Sequence, residues 1–175
     1  MIWYTALVLA VAVERLAELA VALRNARWSL ARGGTEAGRG HYPVMVALHT
    51  GLLAACLAET WLAGRPFVAW FGWAMVAVVA AAQGLRWWCV RTLGRRWNTR
   101  VIVVPGLPLV TGGPYRWLRH PNYVAVAAEG AALPLVHGAW VTAVLFTVAN
   151  AALMTVRIRC EDGALARLVG ADARA

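Results

Sequence analysis

Long apolar runs separated by short arginine-rich connections dominate the chain. A helix that crosses a bilayer needs about 20 mostly apolar residues. Five runs approach that length, and we place spans at residues 2–23, 43–63, 67–90, 122–138 and 139–156. The last two are short and share the break Val136-His137-Gly138-Ala139, which predicts a tight helical hairpin. The pattern predicts an all-α, polytopic membrane protein with about five transmembrane helices, forming a single domain over residues 1–175.

The composition supports a membrane protein. Hydrophobic residues make up 61% of the chain and charged residues 14%, whereas soluble domains have about 45–50% and about 25%. The net charge of +9 could indicate nucleic-acid binding, but that function needs a basic face on a soluble domain. Here the arginines stand between apolar runs, so we expect membrane lipids as partners and no nucleic acid. The oligomeric state stays open.

The arginines alternate between connections. The second connection holds only Arg65, and the hairpin turn after the fourth span holds none. The other connections and the carboxyl-terminal segment hold Arg24, Arg27, Arg32, Arg39, Arg86, Arg91, Arg95, Arg96, Arg100, Arg116, Arg119, Arg157, Arg159, Arg167 and Arg174. By the positive-inside rule the amino terminus lies outside and the carboxyl terminus in the cytoplasm, in a membrane that we take to be a bacterial cytoplasmic membrane. The ten tryptophans near span ends are interpreted as interfacial anchors.

Ionisable residues inside spans are functional candidates, because each costs about 2.5–3.5 kcal/mol to insert. Arg15 and Glu18, three residues apart, are expected to form an ion pair. We interpret Arg86 as an anchor whose head reaches the membrane surface. Glu129 lies in the middle of the fourth span, on nearly the same helix face as Asn122. For Glu129 two interpretations stay open: a structural pair with an arginine, and a catalytic or cofactor-binding role.

The last span carries a polar stripe along one helix face. Its members, spaced three or four residues apart, are Thr147, Asn150, Met154, Arg157 and Glu161. One interpretation is a surface ion pair between Arg157 and Glu161. The other is a polar wall around a polar ligand at the membrane face.

The densest motif is Thr111-Gly-Gly-Pro-Tyr-Arg-Trp-Leu-Arg-His-Pro-Asn-Tyr123. Gly112, Gly113 and Pro114 predict a turn, and Pro121 suits the first turn of a helix. The free N–H groups of that helix start would make an anion-binding site. The side chains beside it are Tyr115, Arg116, Trp117, Arg119, His120 and Tyr123. By contrast, Cys56, Cys89 and Cys160 are scattered, so we expect packing residues and no metal site.

Two segments together resemble the isoprenylcysteine carboxyl methyltransferase family. They are Gly113-Pro-Tyr-Arg-Trp-Leu-Arg-His-Pro-Asn-Tyr123 and, after one hairpin, Arg157-Ile-Arg-Cys-Glu-Asp162. The likeness covers about residues 84–170. It implies a five-span helical membrane enzyme that uses S-adenosylmethionine, with the cofactor on the cytoplasmic side between the helix start at Pro121 and the polar end of the last span. The first two spans show no specific likeness, so substrate identity does not carry over.

The resemblance also implies roles for single residues. His120 and Tyr123 would contact the cofactor, with Arg119 bracing the loop. Glu161 would hold the amino-acid or ribose end of the cofactor, followed by Asp162 where the family has Glu. Arg157 would lie near the point of methyl transfer. The expected cofactor contacts are Val110, Tyr115, Arg119, His120, Tyr123, Glu161 and Asp162, and the expected catalytic residues are Arg157 and Glu129.

The predicted reaction is methyl transfer to a carboxylate or hydroxyl of a lipophilic acceptor, a prenylated or alkyl-chain small molecule. A carboxylate needs little acid–base help, whereas a phenol, with a pKa of about 10, must lose its proton. One alternative is an NADPH-dependent membrane sterol or lipid reductase, which has a similar Arg-His-Pro-Asn-Tyr motif. In such reductases a Gly-Glu pair follows the tyrosine, where this chain has Ala125-Val126. Another is a lipid-binding protein without catalysis. The chain has no GxGxxG loop and no strand pattern, which excludes a Rossmann-type methyltransferase.

Overall fold

Five long helices form the protein. The computed structural model describes residues 1–172, so Arg174 of the orientation argument lies outside the described residues. The helices are α1 (Ile2–Leu30), α2 (His41–Leu62), α3 (Ala69–Leu93), α4 (Pro121–Leu135) and α5 (Trp140–Asp172). Each predicted span falls on one of them. Within the described residues, three helices (α2, α3 and α5) are long and apolar enough to cross a membrane, so the protein is a helical membrane protein.

α1 and α4 do not meet the length and hydropathy expected of a membrane-spanning helix, each for its own reason. α1 is long, but Glu14, Arg15 and Glu18 interrupt its apolar surface. α4 has 15 residues, which at 1.5 Å per residue reach about 22 Å, less than the hydrocarbon core of about 30 Å. α4 is instead the most enclosed helix, with Ala125, Gly130 and Leu133 among its buried residues. The number of five spans therefore stays a prediction.

A small sheet joins two connections that the sequence predicted to contain no strand. β1 (Thr35–Ala37) pairs antiparallel with β2 (Val101–Val103), with Glu36 opposite Ile102. Strands of three residues are too short to produce a recognisable alternation. The pairing brings the first and third connections together on one side of the bundle. The alternation of arginines requires the first and third connections to lie on the same side, and the strand pairing agrees with it.

The hairpin between α4 and α5 is confirmed. α4 ends at Leu135 and α5 begins at Trp140, with Gly138 at φ 69° in the turn, a conformation that glycine adopts without strain. Glu59 of α2 accepts hydrogen bonds from the Thr142 backbone N–H at 2.7 Å and the Thr142 hydroxyl at 2.8 Å. The first N–H groups of a helix have no partner within it, so Glu59 satisfies the start of α5 and fixes it against α2.

The apolar core fills the half of the bundle that is remote from the sheet. Tyr4, Val8, Leu133 and Val136 are fully buried there, and the Tyr4 hydroxyl donates to the Leu133 carbonyl at 3.1 Å. That carbonyl belongs to the last turn of α4, where helix carbonyls lack partners of their own. α1 thus closes the end of α4 by both packing and a hydrogen bond.

The tryptophans do not all serve as interfacial anchors. Trp61, Trp70 and Trp140 are exposed near helix ends, as expected, but Trp97 is only 2% exposed and packs against Ala22 and Val90. For Trp97 the interfacial interpretation is wrong, because the chain turns back over α1 at this point. Cys56 and Cys89 are buried as packing residues, and Cys160 is half-buried.

Gly130 of α4 lies directly against the Phe146 ring of α5. A Cβ atom at this position would lie 2.0 Å from Cε1 of the Phe146 ring, and Phe146 is itself only 4% exposed. No real Cβ contact is that short, so the two helices can pack at this distance only with glycine here.

We therefore expect Gly130→Ala to destabilise the protein by about 1–3 kcal/mol, the usual cost of an overpacked core. Gly84→Ala in α3 is the matched control, because its added Cβ meets nothing within 4 Å. The measurement is thermal unfolding of the purified proteins in detergent. Equal transition temperatures for the two variants would contradict the close packing of α4 on α5.

Candidate functional site

A cavity of 740 Å³, here called the loop cavity, lies between the segment 102–111, the 111–123 motif and the far end of α5. Its charged side chains are Arg96, Arg119, His120, Glu161 and Asp162, and its apolar walls include Ile102, Leu107 and Leu165. Six of the seven expected cofactor contacts line it: Val110, Tyr115, Arg119, His120, Glu161 and Asp162.

A second cavity of 230 Å³, here called the helix cavity, lies among all five long helices. Most of its surface is apolar, from residues such as Leu53, Val126 and Leu153. Its polar lining consists of Arg15, Glu18, Tyr42, His49, Thr50, Arg86, Asn98, Thr99, Asn122, Tyr123, Asn150 and Arg157. The cavity therefore combines a mostly apolar surface with polar side chains in its wall, as ligand sites usually do.

The two cavities meet at Tyr123 and Arg157. A small cavity of 110 Å³ lies between them and shares lining residues with both. With the helix cavity it shares Tyr123, Arg157 and Asn122, and with the loop cavity it shares His120 and Glu161. Tyr123, the seventh expected cofactor contact, is thus located at the junction and not within the loop cavity.

A chain of hydrogen bonds holds this junction. Arg157 Nε donates to the Tyr123 hydroxyl at 2.9 Å, and that hydroxyl donates to Glu161. The other guanidinium nitrogens of Arg157 donate to the Thr99 carbonyl and contact Met45 Sδ at 3.0 Å. Because Arg157 is only 7% exposed and bonded to α2, α4 and the loop after α3, its planar head is fixed in one orientation.

The polar stripe of α5 forms a wall, as the second interpretation predicted. Asn150, Met154 and Arg157 line the helix cavity, and Glu161 lines the loop cavity. Thr147 is exposed and takes no part. The first interpretation is wrong, since Arg157 is buried and reaches Glu161 only through the Tyr123 hydroxyl.

The predicted helix start at Pro121 is confirmed, and it is attached to α5. His120, immediately before the helix, lies with Nε2 at 3.2 Å from Asp162 Oδ1, and its ring stacks on Tyr123. Arg119 lies at 3.2 Å from the same carboxylate oxygen. The Arg119 side chain is 75% exposed, so its ion pair contributes little. Asp162, where the family has Glu, still reaches both partners of the motif.

Tyr115 is a neutral hydrogen-bonding group in the wall of the loop cavity. Burial raises the pKa of its phenol well above the ordinary value of 10, and the neighbouring Cys89 thiol adds to the shift. The phenol therefore keeps its proton throughout the physiological pH range, and it cannot act as a base there.

Glu129 belongs to an ion-pair cluster inside the bundle. Its Oε2 lies 2.5 Å from Arg15 Nη2 and 3.1 Å from Arg86 Nη2, and it is 5% exposed. Glu18 pairs with Arg15, as predicted, and lies 3.5 Å from Arg86. Gln83 joins Arg15 to Glu14. The interpretation of Arg86 as a surface anchor is wrong: the side chain is buried because two carboxylates neutralise it. Glu129 therefore forms the structural pair with an arginine that its first interpretation predicted. It lines none of the three cavities named above.

Sequence reasoning missed several residues of the site. Met45, His49, Asn98 and Thr99 line the helix cavity but were not singled out. His49 could have been found, since an ionisable residue within a span is a candidate by the rule applied to Glu129. Asn98 and Thr99 gave no such signal, because they lie in a polar connection where such residues are common.

Comparison with known proteins identifies the family. The sequence model of the isoprenylcysteine carboxyl methyltransferase (ICMT) family matches residues 74–167, more than half of the chain. The chain belongs to this family. Membership supports a membrane methyltransferase that acts on a lipophilic acceptor.

Two similar proteins extend the comparison. The chain is 42% identical over 154 residues to the uncharacterized protein YpbQ of Bacillus subtilis (strain 168), covering 87% of this chain and 90% of YpbQ. It also resembles the structure of the eukaryotic intramembrane Ras methyltransferase ICMT, with a TM-score of 0.58 and 21% identity. That match covers 78% of this chain and 49% of the other, so the chain spans about half the length of the solved structure. At this identity the likeness shows the fold alone.

Proposed function

We propose that this protein transfers the methyl group of S-adenosylmethionine to a carboxylate or hydroxyl oxygen of a lipophilic small molecule. The main support is the junction at Tyr123 and Arg157, where a cavity lined by the family's cofactor residues meets a mostly apolar cavity inside the bundle. Donor and acceptor would meet there, each in a compartment suited to its polarity.

The loop cavity fits the proposed cofactor. Its 740 Å³ falls within the range of about 300–1,000 Å³ of ligand pockets. Glu161, Asp162 and His120 offer acidic and basic partners for an ammonium and a carboxylate, and Ile102 and Val110 offer apolar surface for an aromatic base. Bound S-adenosylmethionine would supply an electrophilic methyl group on a sulfonium. Arg119 would brace the loop before α4 through Asp162. Tyr115, as a neutral phenol, would donate a hydrogen bond to the cofactor.

The role of Arg157 follows from its fixed, buried guanidinium. An arginine fork presents several N–H donors in one plane and can orient an oxygen of the acceptor. The guanidinium of Arg157 is held by contacts with Tyr123, Thr99 and Met45. It nevertheless faces the helix cavity, because Arg157 is one of the lining residues. Methyl transfer to oxygen mainly requires alignment of donor and acceptor and exclusion of water. In this proposal Arg157 provides the alignment.

The helix cavity supports an acceptor with a long hydrocarbon tail. Leu16 of α1 and Val46 of α2 line the cavity and are 66% and 46% exposed. These residues belong to apolar faces of helices in the bundle, so a tail can leave the cavity between α1 and α2 toward the lipid. The oxygen to be methylated would stay at Arg157, and the chain would extend into the membrane.

We propose that Glu129 acts by positioning rather than by touching the reacting atoms. It neutralises Arg15 and Arg86, which line the helix cavity. Removing one partner of a buried ion pair usually costs about 3–5 kcal/mol. Glu129→Gln should accordingly lower the unfolding temperature, and a variant of unchanged stability would contradict this role.

The family match favours methyl transfer over NADPH-dependent reduction and over lipid binding without catalysis. The positions after Tyr123 agree with this choice, because Ala125 and Val126 are buried apolar residues where the reductases have a Gly-Glu pair.

For topology we propose five spans with the amino terminus outside and the carboxyl terminus and loop cavity in the cytoplasm. Reporter fusions after Gly40 and Gly106 should then give an inner-side signal, and fusions after Gly64 and Gly138 an outer-side signal. An inner-side signal after Gly138 would contradict this orientation, because the turn that contains Gly138 separates α4 from α5.

The cofactor assignment predicts that Glu161→Ala weakens binding of S-adenosylmethionine at least about tenfold. A hydrogen bond to a charged group contributes about 1.5–3 kcal/mol, and 1.4 kcal/mol corresponds to tenfold in affinity. Titration calorimetry on the detergent-solubilised protein measures this. Glu36→Ala is the control, because Glu36 pairs with Arg39 and Arg100 at the sheet and lines none of the three cavities. Binding of NADPH in place of S-adenosylmethionine would support the reductase instead.

The acceptor assignment predicts that Arg157→Lys lowers turnover at least about tenfold, as loss of one fixed donor to a developing charge usually does, and leaves cofactor affinity nearly unchanged. Arg159→Lys is the matched control, two residues along α5 and exposed. The assay follows labelled methyl transfer to carboxylic and phenolic lipids of graded chain length. Because each buried CH₂ contributes about 0.8 kcal/mol, activity should rise with chain length. Activity that does not depend on the length of the acceptor's hydrocarbon chain, or full turnover by Arg157→Lys, would argue against the proposal.

A further inference from the structure

His49 is an ionisable side chain in the wall of the helix cavity that the proposed mechanism has not used. It lies in α2, one helical turn after Met45, whose Sδ contacts Arg157 at 3.0 Å. His49 and Arg157 line the same 230 Å³ cavity. A small acceptor head oriented by Arg157 would therefore occupy the same cavity that the His49 ring lines.

The hydrogen bonding of His49 determines which ring nitrogen is free. Nδ1 lies 2.9 Å from the Met45 carbonyl oxygen, which can only accept a hydrogen bond, so Nδ1 must carry the proton. In the neutral ring Nε2 then has a free lone pair. Among the described residues, Nε2 has no hydrogen-bond partner. It is also not one of the fully buried polar atoms that lack a partner, so it is accessible from the cavity. The ring is also held edge-on by Phe146, at 5.4 Å between centroids.

From this geometry we propose that His49 is the catalytic base when the acceptor is a hydroxyl. The inference rests on the proposed methyl transfer and deepens it. The acceptor O–H bond breaks and its proton goes to Nε2 of His49. The oxygen forms its bond to the methyl carbon while the methyl–sulfur bond of the sulfonium breaks, and the electron pair stays on sulfur as a neutral thioether.

The surroundings of His49 suit a residue that cycles between the neutral and protonated forms. The charged groups on the elements around it are Arg15 and Glu18 of α1, Arg86 of α3, Glu129 of α4 and Arg157 of α5. Glu18 and Glu129 are already paired with the two arginines. No carboxylate forms an ion pair with His49 among the described residues, so its ring is not locked in the charged form.

The first test compares two acceptor types with one variant. His49→Gln keeps a side chain that can hydrogen-bond but cannot take the proton. For a long-chain alkylphenol kcat/KM should fall about 100-fold or more, in the range usual for loss of a general base. For a fatty acid of equal chain length it should change less than about threefold, because a carboxylate needs no base. In the wild type the phenol rate should fall at low pH as His49 becomes protonated, and His49→Gln should lose this dependence.

His137→Gln is the matched control for the substitution itself. His137 is buried among Trp3, Tyr4 and Phe67, away from the cavities, so the ratio of phenol to carboxylate rates should stay that of the wild type. A His49→Gln enzyme whose two rates fall equally would overturn the proposal, as would a wild type that methylates carboxylates alone. In both of those cases the proposed methyl transfer would stand.

A second measurement does not depend on turnover. The probe 2-nitro-4-dodecylphenol changes colour when it ionises, so its ionisation can be followed when it is bound to the protein without cofactor. The wild type should hold the probe as phenolate at a lower pH than His49→Gln does, because only the imidazole takes up the proton. Identical titration curves would overturn the role of His49, even if no acceptor is methylated and the proposed function itself fails.

Discussion

The Tyr123 hydroxyl is the point on which the site depends. It accepts a hydrogen bond from Arg157 and donates one to Glu161, so one oxygen joins α4 to two successive turns of α5. This bridge can form only if α5 has the correct length and rotation. The start and the orientation of α5 are fixed at the opposite end, where Glu59 caps the helix and Gly138 closes the turn. From Trp140 to Glu161 the helix rises about 32 Å, enough to cross the hydrocarbon core of about 30 Å.

Charge inside the bundle explains how the cavity is built. Arg15, Arg86 and Glu129 come from three different helices and meet away from solvent. An unpaired charge there would be very costly, whereas pairing with good geometry repays most of the desolvation. The half of the bundle around Tyr4 and Leu133 is held by apolar packing. The half around the helix cavity is instead held together by the ion pairs. Because these pairs join the helices without close apolar packing, a cavity can remain between them.

Much of this arrangement could be predicted from the sequence, because the decisive features are local. Helix positions follow from apolar runs, the helix start follows from Pro121, and the wall of the cavity follows from the spacing of Asn150, Arg157 and Glu161. What failed depends on partners distant in sequence. From the sequence Arg86 is interpreted as a membrane-surface anchor, because only the fold shows that Glu18 and Glu129 lie beside it. The continuation of α5 from Glu161 to Asp172 is also hidden in the sequence, since charged residues end an apolar run without ending a helix.

The division of the chain between its two cavities has a consequence for specificity. The family match begins at residue 74 and contains every residue that we assign to the cofactor. The helix cavity is lined in addition by Arg15 and Leu16 of α1 and by Met45 and His49 of α2, all before the matched region. The cavity that we propose for the donor is therefore lined mainly by the part of the chain that the family shares, and the cavity that we propose for the acceptor is lined by α1 and α2 as well. If the acceptor occupies the helix cavity as proposed, substitutions in the first two helices would change its tail or its base, while Tyr123 and Arg157 at the junction would keep the position of the acceptor oxygen.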